Sequence, residues 1–192
     1  MHLDYPNFKD LEILEVSCGQ GHSLELIERL HGPTKLLVGC DKVVVNSERN
    51  IVYGDAINLP FEDDSFDFVV NVEASHLYSD YPKFFQEVAR VLKPGGVFCW
   101  MDIRYSFEIF PTQFAAEEAG LNLRRWESCN KEVIEGIKKV SKKYDEKLEK
   151  APFYVKIFKN SLRDTYCAPG TEAYERLRTG KKKYLAAMWI KE

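Results

Sequence analysis

Glu15-Val16-Ser17-Cys18-Gly19-Gln20-Gly21 sets an acid, a hydroxyl and two glycines within seven residues, directly after the apolar run Leu11–Val16 and before a helical pattern. Gly19 and Gly21 let backbone amides approach a ligand where a Cβ would collide. The third glycine of a GxGxxG dinucleotide loop is missing, and Glu15 would repel a pyrophosphate. A carboxylate there suits a ligand carrying an ammonium and a sulfonium. Alone, such a loop is also what a plain tight turn looks like. Two further acids follow in order. Asp41 closes a second apolar run, Lys35–Asp41, where a carboxylate can accept from both hydroxyls of a ribose. Asp55, in Gly54-Asp55-Ala56, closes a third run, Asn50–Tyr53, where a carboxylate can accept from an adenine amino group. Any one of these acids reads equally as a strand-end cap. Three in register at successive strand ends do not.

His76 lies in Val72-Glu73-Ala74-Ser75-His76-Leu77-Tyr78, just past a fourth apolar run. Imidazole is the side chain best matched to taking a proton near neutral pH, so His76 is a candidate general base, with a helix-entry or packing histidine as the bland alternative. Tyr78 and Tyr81 read as walls of a pocket. Asp102 and Arg104 read either as substrate-orienting groups or as a local ion pair at a strand end. Neither the cysteine nor the histidine spacing suggests a metal site.

These residues need a frame that brings strand ends together. Short apolar runs (Leu11–Val16, Lys35–Asp41, Asn50–Tyr53, Phe66–Val72, Val97–Met101) alternate with helical patterns over Ser23–His31 and around Phe84, Val88, Val91 and Leu92. Lys93-Pro94-Gly95-Gly96 is predicted to end the second helix before the fifth strand starts. Near-continuous apolar strands alternating with helices imply an α/β fold, a three-layer, doubly wound, mostly parallel sheet. Further on, Thr112–Ala119 is predicted helical, Leu121–Glu127 a sixth strand, Lys131–Lys150 an amphipathic helix, and Tyr184–Lys191 a return to the sheet. The aromatic stretch between them, with Phe153, Tyr154, Phe158 and Tyr166, reads as a lid over an apolar substrate or as packing onto the sheet. The expectation is one domain over 1–192, with residues 11–104 as the ligand-binding half and 105–192 as a substrate-side half carrying a helical insertion at about 131–178.

Composition excludes several classes. The 192 residues are 45% apolar and 30% charged, which describes a globular domain with an ample core. No apolar run reaches the roughly 20 residues of a membrane-spanning helix. A formal net charge of −3 argues against a dedicated nucleic-acid binder, and Lys138, Lys139, Lys142, Lys143 and Lys181–Lys183 are set among Glu132, Glu135, Asp145, Glu146 and Glu149, as on a solvated helix face. The start, MHLDYPNFKDLEILEV, lacks the basic and apolar segments of a signal peptide, and five cysteines without CxxC spacing suit reduced thiols, so a cytoplasmic location is expected.

In order, ILEVSCGQG, the acid of VGCD, GDAINLPF, DDSFDFVVNVEASHLY and EVARVLKPGGVF resemble the motifs of class I S-adenosylmethionine-dependent methyltransferases, the methyltransferase type 11 domain. EVSCGQG, NVEASHLY and MDIR are similar, more narrowly, to the phthiotriolone/phenolphthiotriolone dimycocerosate O-methyltransferases. The resemblance implies a Rossmann-like fold, S-adenosylmethionine as cofactor, and methyl transfer to a hydroxyl of a small, rather apolar molecule. It implies that Glu15, Ser17, Gly19 and Gly21 line the methionine moiety, Asp41 holds the ribose, Asp55 and Ala56 flank the adenine, and Asn71 and Glu73 face the methyl group. One departure stands out. Only KVVVNSERNIVYG separates Asp41 from Asp55, too little for a crossover helix of the usual 10–12 residues with its loops. The second helix of the family is therefore expected to be cut to a turn or lost, and a family member without activity, serving as a binding module, is the alternative this feature suggests.

Overall fold

The computed structural model describes residues 8–44 and 48–192. Seven strands form its sheet: β1 (Glu12–Val16), β2 (Leu36–Asp41), β3 (Ile51–Tyr53), β4 (Phe66–Val72), β5 (Leu92–Tyr105), β6 (Leu121–Ser128) and β7 (Lys182–Lys191). Their spatial order is β3-β2-β1-β4-β5-β7-β6. The pairs β1–β2, β1–β4, β2–β3 and β4–β5 are all parallel. β1 is buried along almost its whole length, which explains why EILEV shows no polar face. The order reverses direction on either side of β1, so the crevice at the carboxyl ends of β1 and β4 is the topological switch point where open α/β sheets bind ligands.

Helix α1 (His22–His31) follows β1 and is stopped by Gly32, whose N–H donates to the Glu28 carbonyl at 2.8 Å. Helix α2 (Tyr81–Val91) begins at Asp80, which accepts from the Lys83 N–H at 3.0 Å, with Pro82 in the first turn. Its inner face carries Phe84, Phe85, Val88 and Val91, all fully buried. Phe85 and Phe98 meet Trp189 of β7, the last pair stacked with centroids 5.4 Å apart. Trp100 stacks on Trp126 of β6 at 5.8 Å. Burial of this aromatic cluster is what joins α2 to β5, β7 and β6.

Between β2 and β3 no helix is found among the described residues: Lys42–Val44 and Glu48–Asn50 are non-helical, and Val45–Ser47 lie outside the described residues. The short connection is too brief for a crossover, as expected. The fifth strand departs from expectation. It starts at Leu92, directly after α2, because Leu92 pairs with Phe66 and the register then jumps to Phe68 opposite Val97. Lys93-Pro94-Gly95-Gly96 thus bulges out of a continuous strand instead of separating helix from strand. The bulge is held by charge. Lys93 Nζ donates to Glu12 at 2.6 Å and to Asp67 at 2.9 Å, tying the amino ends of β1, β4 and β5. The third helix, α3 (Ile109–Glu118), begins three residues earlier than its apolar spacing suggested.

The chain forms two compact units. The first runs through Asp102 and includes Phe110–Trp126 and Ala186–Glu192; the second comprises Ile103–Ile109 and Glu127–Leu185. The second unit holds α4 (Asn130–Glu149), α5 (Phe153–Lys156), α6 (Lys159–Thr165) and α7 (Glu172–Arg178). Asn130 anchors it: its amide donates to the Leu177 carbonyl at 3.0 Å and accepts from the Tyr184 N–H.

Gly39 in β2 is the tightest point of the sheet. A Cβ there would overlap Cys18 Sγ and come within 3.1 Å of Leu24 Cδ1. Gly39→Ala should therefore destabilise the fold by about 1–3 kcal/mol, read from urea unfolding. Cys18→Ala should restore much of that loss in the double variant, and additive losses would remove the Cys18 contact as the cause.

Candidate functional site

The turn after β1 leaves the sheet in left-handed backbone. Ser17 has φ 57° and Gly19 φ 55°, and the space above Gly19 is open, with nothing within 4 Å of where a Cβ would stand. Three bonds tack the turn to the end of β2: the Ser17 and Cys18 N–H groups donate to the Cys40 carbonyl at 2.7 and 3.3 Å, and the Gly19 N–H to Asp41 Oδ2 at 2.8 Å. The other Asp41 oxygen accepts from the Val43 N–H at 2.9 Å. Asp41 thus orients the glycine turn, and each of its oxygens keeps a second lone pair for a ligand hydroxyl.

Glu15 is buried, and both of its oxygens accept from the Ser23 hydroxyl in the first turn of α1, the longer contact being 2.6 Å. Burial pushes its carboxyl above the usual range, partly offset by Ser23. Ser23 is a residue the sequence reading missed. Cys18 and Cys40 line the same turn, their thiols pushed by burial to about 11 and about 12, so both stay protonated.

A second cluster crosses from β1 to β4. Asn71 is fully buried; its amide donates to the Val16 carbonyl at 2.9 Å and to the Tyr78 hydroxyl at 3.0 Å. Tyr78 in turn meets Ser17 Oγ at 2.6 Å. The phenol is pushed up to about 12 by burial, so it stays a neutral link between the glycine turn and the segment after β4. Asn71 Oδ1 has no hydrogen-bond partner, a buried acceptor left over beside Ser17. Tyr78 is therefore a tie within the site as well as a wall.

Asp55 follows β3. One of its oxygens accepts from the Ile57 N–H at 3.2 Å and the other faces Lys42 Nζ at 3.0 Å, while Ala56 is buried. The loop beyond is stapled from α2. Glu87 accepts from the Leu59 N–H at 2.7 Å, and Arg90 donates to the Leu59 and Phe61 carbonyls at 3.0 and 2.7 Å while gripping Glu87 at 2.8 Å. With no helix among the described residues between β2 and β3, Asp41 and Asp55 still stand at their strand ends, Asp41 held by the Gly19 and Val43 amides and Asp55 by the Ile57 amide and Lys42.

Past β4, Glu73 turns the chain with φ 52°, its N–H donating to the Met101 carbonyl at 2.8 Å. The next turn, Ser75–Leu77, wraps the carboxylate of Asp102, near the end of β5. Asp102 is fully buried and takes the Ser75 hydroxyl at 2.6 Å, the His76 N–H at 2.8 Å and His76 Nδ1 at 2.6 Å. Trp100 Nε1 donates to Ser75 Oγ at 2.8 Å behind them. The imidazole is about one-third exposed. A carboxylate on Nδ1 fixes the proton there and leaves Nε2 as an acceptor. The pairing of His76 with Asp102 was not read from the sequence. Val72, the last residue of β4, pairs with Met101, so Asp102, still inside β5, stands one step beyond the end of β4 and meets the turn that follows it; that register cannot be read along the chain.

The acceptor set fits the implied cofactor: the buried Glu15 carboxyl, the half-buried Asp41 and an unpartnered buried amide oxygen suit a cationic amino acid joined to a nucleoside. The Ser17, Cys18, Gly19 and Gly21 amides of the turn are spent on Cys40, Asp41 and Cys18, so the turn is no cradle for a pyrophosphate. Among the described residues no cluster of metal-ligating side chains is found. An open doubly wound sheet with acids at successive strand ends around a glycine turn defines the class I methyltransferase architecture.

Comparison with known proteins agrees. The family model "Methyltransferase domain" matches residues 14–100. The chain is 41% identical over 140 residues to phthiotriol/phenolphthiotriol dimycocerosates methyltransferase 1 of Mycobacterium ulcerans, covering 67% of this chain and 51% of that protein. It is 33% identical over 189 residues to a fatty-acid O-methyltransferase of Mycolicibacterium smegmatis, covering 93% of this chain and 67% of that protein. A solved structure from Galdieria sulphuraria, assigned as a sarcosine dimethylglycine methyltransferase, has the same fold, with a TM-score of 0.78 at 22% identity over 96% of this chain and 79% of that one. The chain belongs to the class I S-adenosylmethionine-dependent methyltransferase family. It spans about half the length of the Mycobacterium ulcerans relative.

The staple from α2 makes a pH prediction. Arg90 holds the Glu87 carboxyl below the usual carboxylate range, so Glu87 binds fewer protons folded than unfolded over acidic pH. Its contribution is complete above the unfolded value and lost as pH falls through the depressed folded one. The stability gap between the wild type and Glu87→Gln should be level above about pH 6 and shrink below about pH 4. Urea unfolding across that range checks it; a gap independent of pH would leave Glu87 a packing residue only.

Proposed function

We propose that the chain methylates a hydroxyl on a small, apolar molecule, as a cytoplasmic enzyme. The observation that carries the reading is the pairing of His76 with fully buried Asp102 beside the crevice. When bound, S-adenosylmethionine supplies an electrophilic methyl group on a sulfonium. In this reading Asp41 holds the ribose hydroxyls, Gly19 lends open backbone close to the methionine moiety while Gly21, packed against Arg49, Ile51 and Leu24, closes the turn beneath it, and Glu15 and Asn71 supply a carboxyl and a free acceptor oxygen. Ser17 is kept in place by Tyr78. Asp55 and Ala56 flank the adenine, and Glu73 stands on the methyl side. The names of the relatives, a fatty-acid O-methyltransferase and a phthiotriol/phenolphthiotriol dimycocerosates methyltransferase, support an apolar hydroxyl- or carboxyl-bearing substrate class, and the hydroxyl is preferred because it needs a base.

His76 supplies that base. Nε2 accepts the proton of the substrate hydroxyl as its oxygen becomes nucleophilic, and Asp102 stabilises the imidazolium that results. Ser75 and Trp100 keep Asp102 aligned, so the imidazole reaches the substrate in one orientation. The remaining task is alignment of oxygen and methyl carbon, which can supply a large part of the rate.

Calorimetric titration tests the cofactor assignment. Asp41→Ala should weaken S-adenosylmethionine binding by about 1.5–3 kcal/mol, and equal affinity in the wild type and the variant would withdraw the ribose role. With a long-chain hydroxyl or phenolic acceptor that the wild type methylates, His76→Ala should lower turnover by about 10²–10⁴ with cofactor affinity unchanged. Asp102→Asn should fall in the same direction. Near-normal turnover in His76→Ala would leave positioning as the catalytic device.

A further inference from the structure

The second unit carries a surface that the methyl-transfer reading does not use. Within the six residues 153–158, Phe153 is 78% exposed, Tyr154 60%, Ile157 71% and Phe158 63%. These residues are not packed onto the sheet. On the preceding helix α4, Val140 and Tyr144 are also exposed. Burial of large apolar side chains is a main source of folding stability, so four exposed within one stretch forgo it unless something covers them.

The charge around them names what would. Over residues 138–159 eight lysines stand against three acids, within a chain whose formal net charge is −3. Lys147 and Lys150 close α4 just before the aromatic stretch, Lys156 lies inside it and Lys159 follows it. Lys159 is paired with Glu149, and Lys147 lies over the Tyr144 ring at 5.6 Å. Between α4 and α6 an apolar cleft of about 330 Å³ opens, lined by Tyr144, Leu148, Ala151, Leu162 and Tyr166. Exposed aromatic and aliphatic side chains interleaved with lysines on short helices are the chemistry of a segment lying in a lipid headgroup layer, with rings at the acyl boundary and ammonium groups among phosphates. No helix among the described residues is long and apolar enough to cross a membrane, so the contact is interfacial. We propose that residues 138–159 dock the protein on the surface of an anionic phospholipid bilayer.

Flotation of the 192-residue chain with phosphatidylcholine vesicles, with and without phosphatidylglycerol, tests this. The wild type should float with the anionic vesicles, stay in solution with phosphatidylcholine alone, and be released as salt rises. Phe153→Ser/Phe158→Ser should lower partition by about tenfold or more. Lys147→Gln/Lys150→Gln/Lys156→Gln should lower it on the order of a hundredfold. Leu30→Ser, which removes an exposed leucine of α1 in the other unit, should leave partition unchanged, and circular dichroism confirms that each variant keeps its helices. The proposal is overturned if the wild type ignores both vesicle types, partitions equally onto both, or binds a single-stranded oligonucleotide but no vesicle. It is equally overturned if either patch variant, folded, partitions like the wild type.

Discussion

Every group at the crevice hangs from the register of β1 between its two parallel neighbours. Val16 pairs with Cys40 and Glu15 with Val70, so β1, β2 and β4 end within a residue or two of one another. Parallel pairing allows this because all three chains leave the sheet in the same direction. Ser17, Asp41 and Asn71 then stand one step from a common line. A shift of one residue in β1 would turn Glu15 from its place under α1 toward the opposite face. Gly39 permits the register, since only a residue without a side chain lets Cys18 settle across β2.

The two ends of the sheet are treated differently. At the amino ends, opposite charges neutralise one another: Lys93 joins Glu12 and Asp67, and Lys35 adds a second partner to Glu12. Lys93 and Lys35 hold the Glu12 carboxyl below its usual range, and Asp67, against the upward push of burial, is held below its own by the Glu12 N–H and Lys93. At the carboxyl ends Asp55 faces Lys42, but the acids nearest β1 and β4 meet backbone amides, hydroxyls and an imidazole instead. Asp41 takes two amides, Glu15 one serine, Asp102 a serine, an amide and an imidazole. Negative charge is thereby kept at the crevice and cancelled at the far end, which is the arrangement a cationic ligand requires.

Asp102 shows how a buried charge can be tolerated. A carboxylate removed from water is costly unless its lone pairs are satisfied, and three donors surround this one. The same donors order the turn that carries His76. Stability and chemistry thus share one set of hydrogen bonds, with Trp100 extending it into the aromatic core. Asn71 is the contrasting case, because one of its buried oxygens is left without a partner.

Much of this was legible along the chain. Buried parallel strands announce themselves as apolar runs, and the acids that end them, Glu15, Asp41 and Asp55, could be read at those ends before any pairing was known. That no helix stands among the described residues between β2 and β3 followed from counting residues. Other features depend on pairing between distant segments. Ser17 meets Tyr78 from 61 positions away and His76 meets Asp102 from 26, and the Lys93–Gly96 segment bulges because Leu92 pairs with Phe66. Local composition carries no record of which residue will face which across a sheet. By itself the sequence determined the strands, their order of chemistry and the family; the tertiary structure alone decided the hydrogen-bond partners, because register is set by the packing of the whole core.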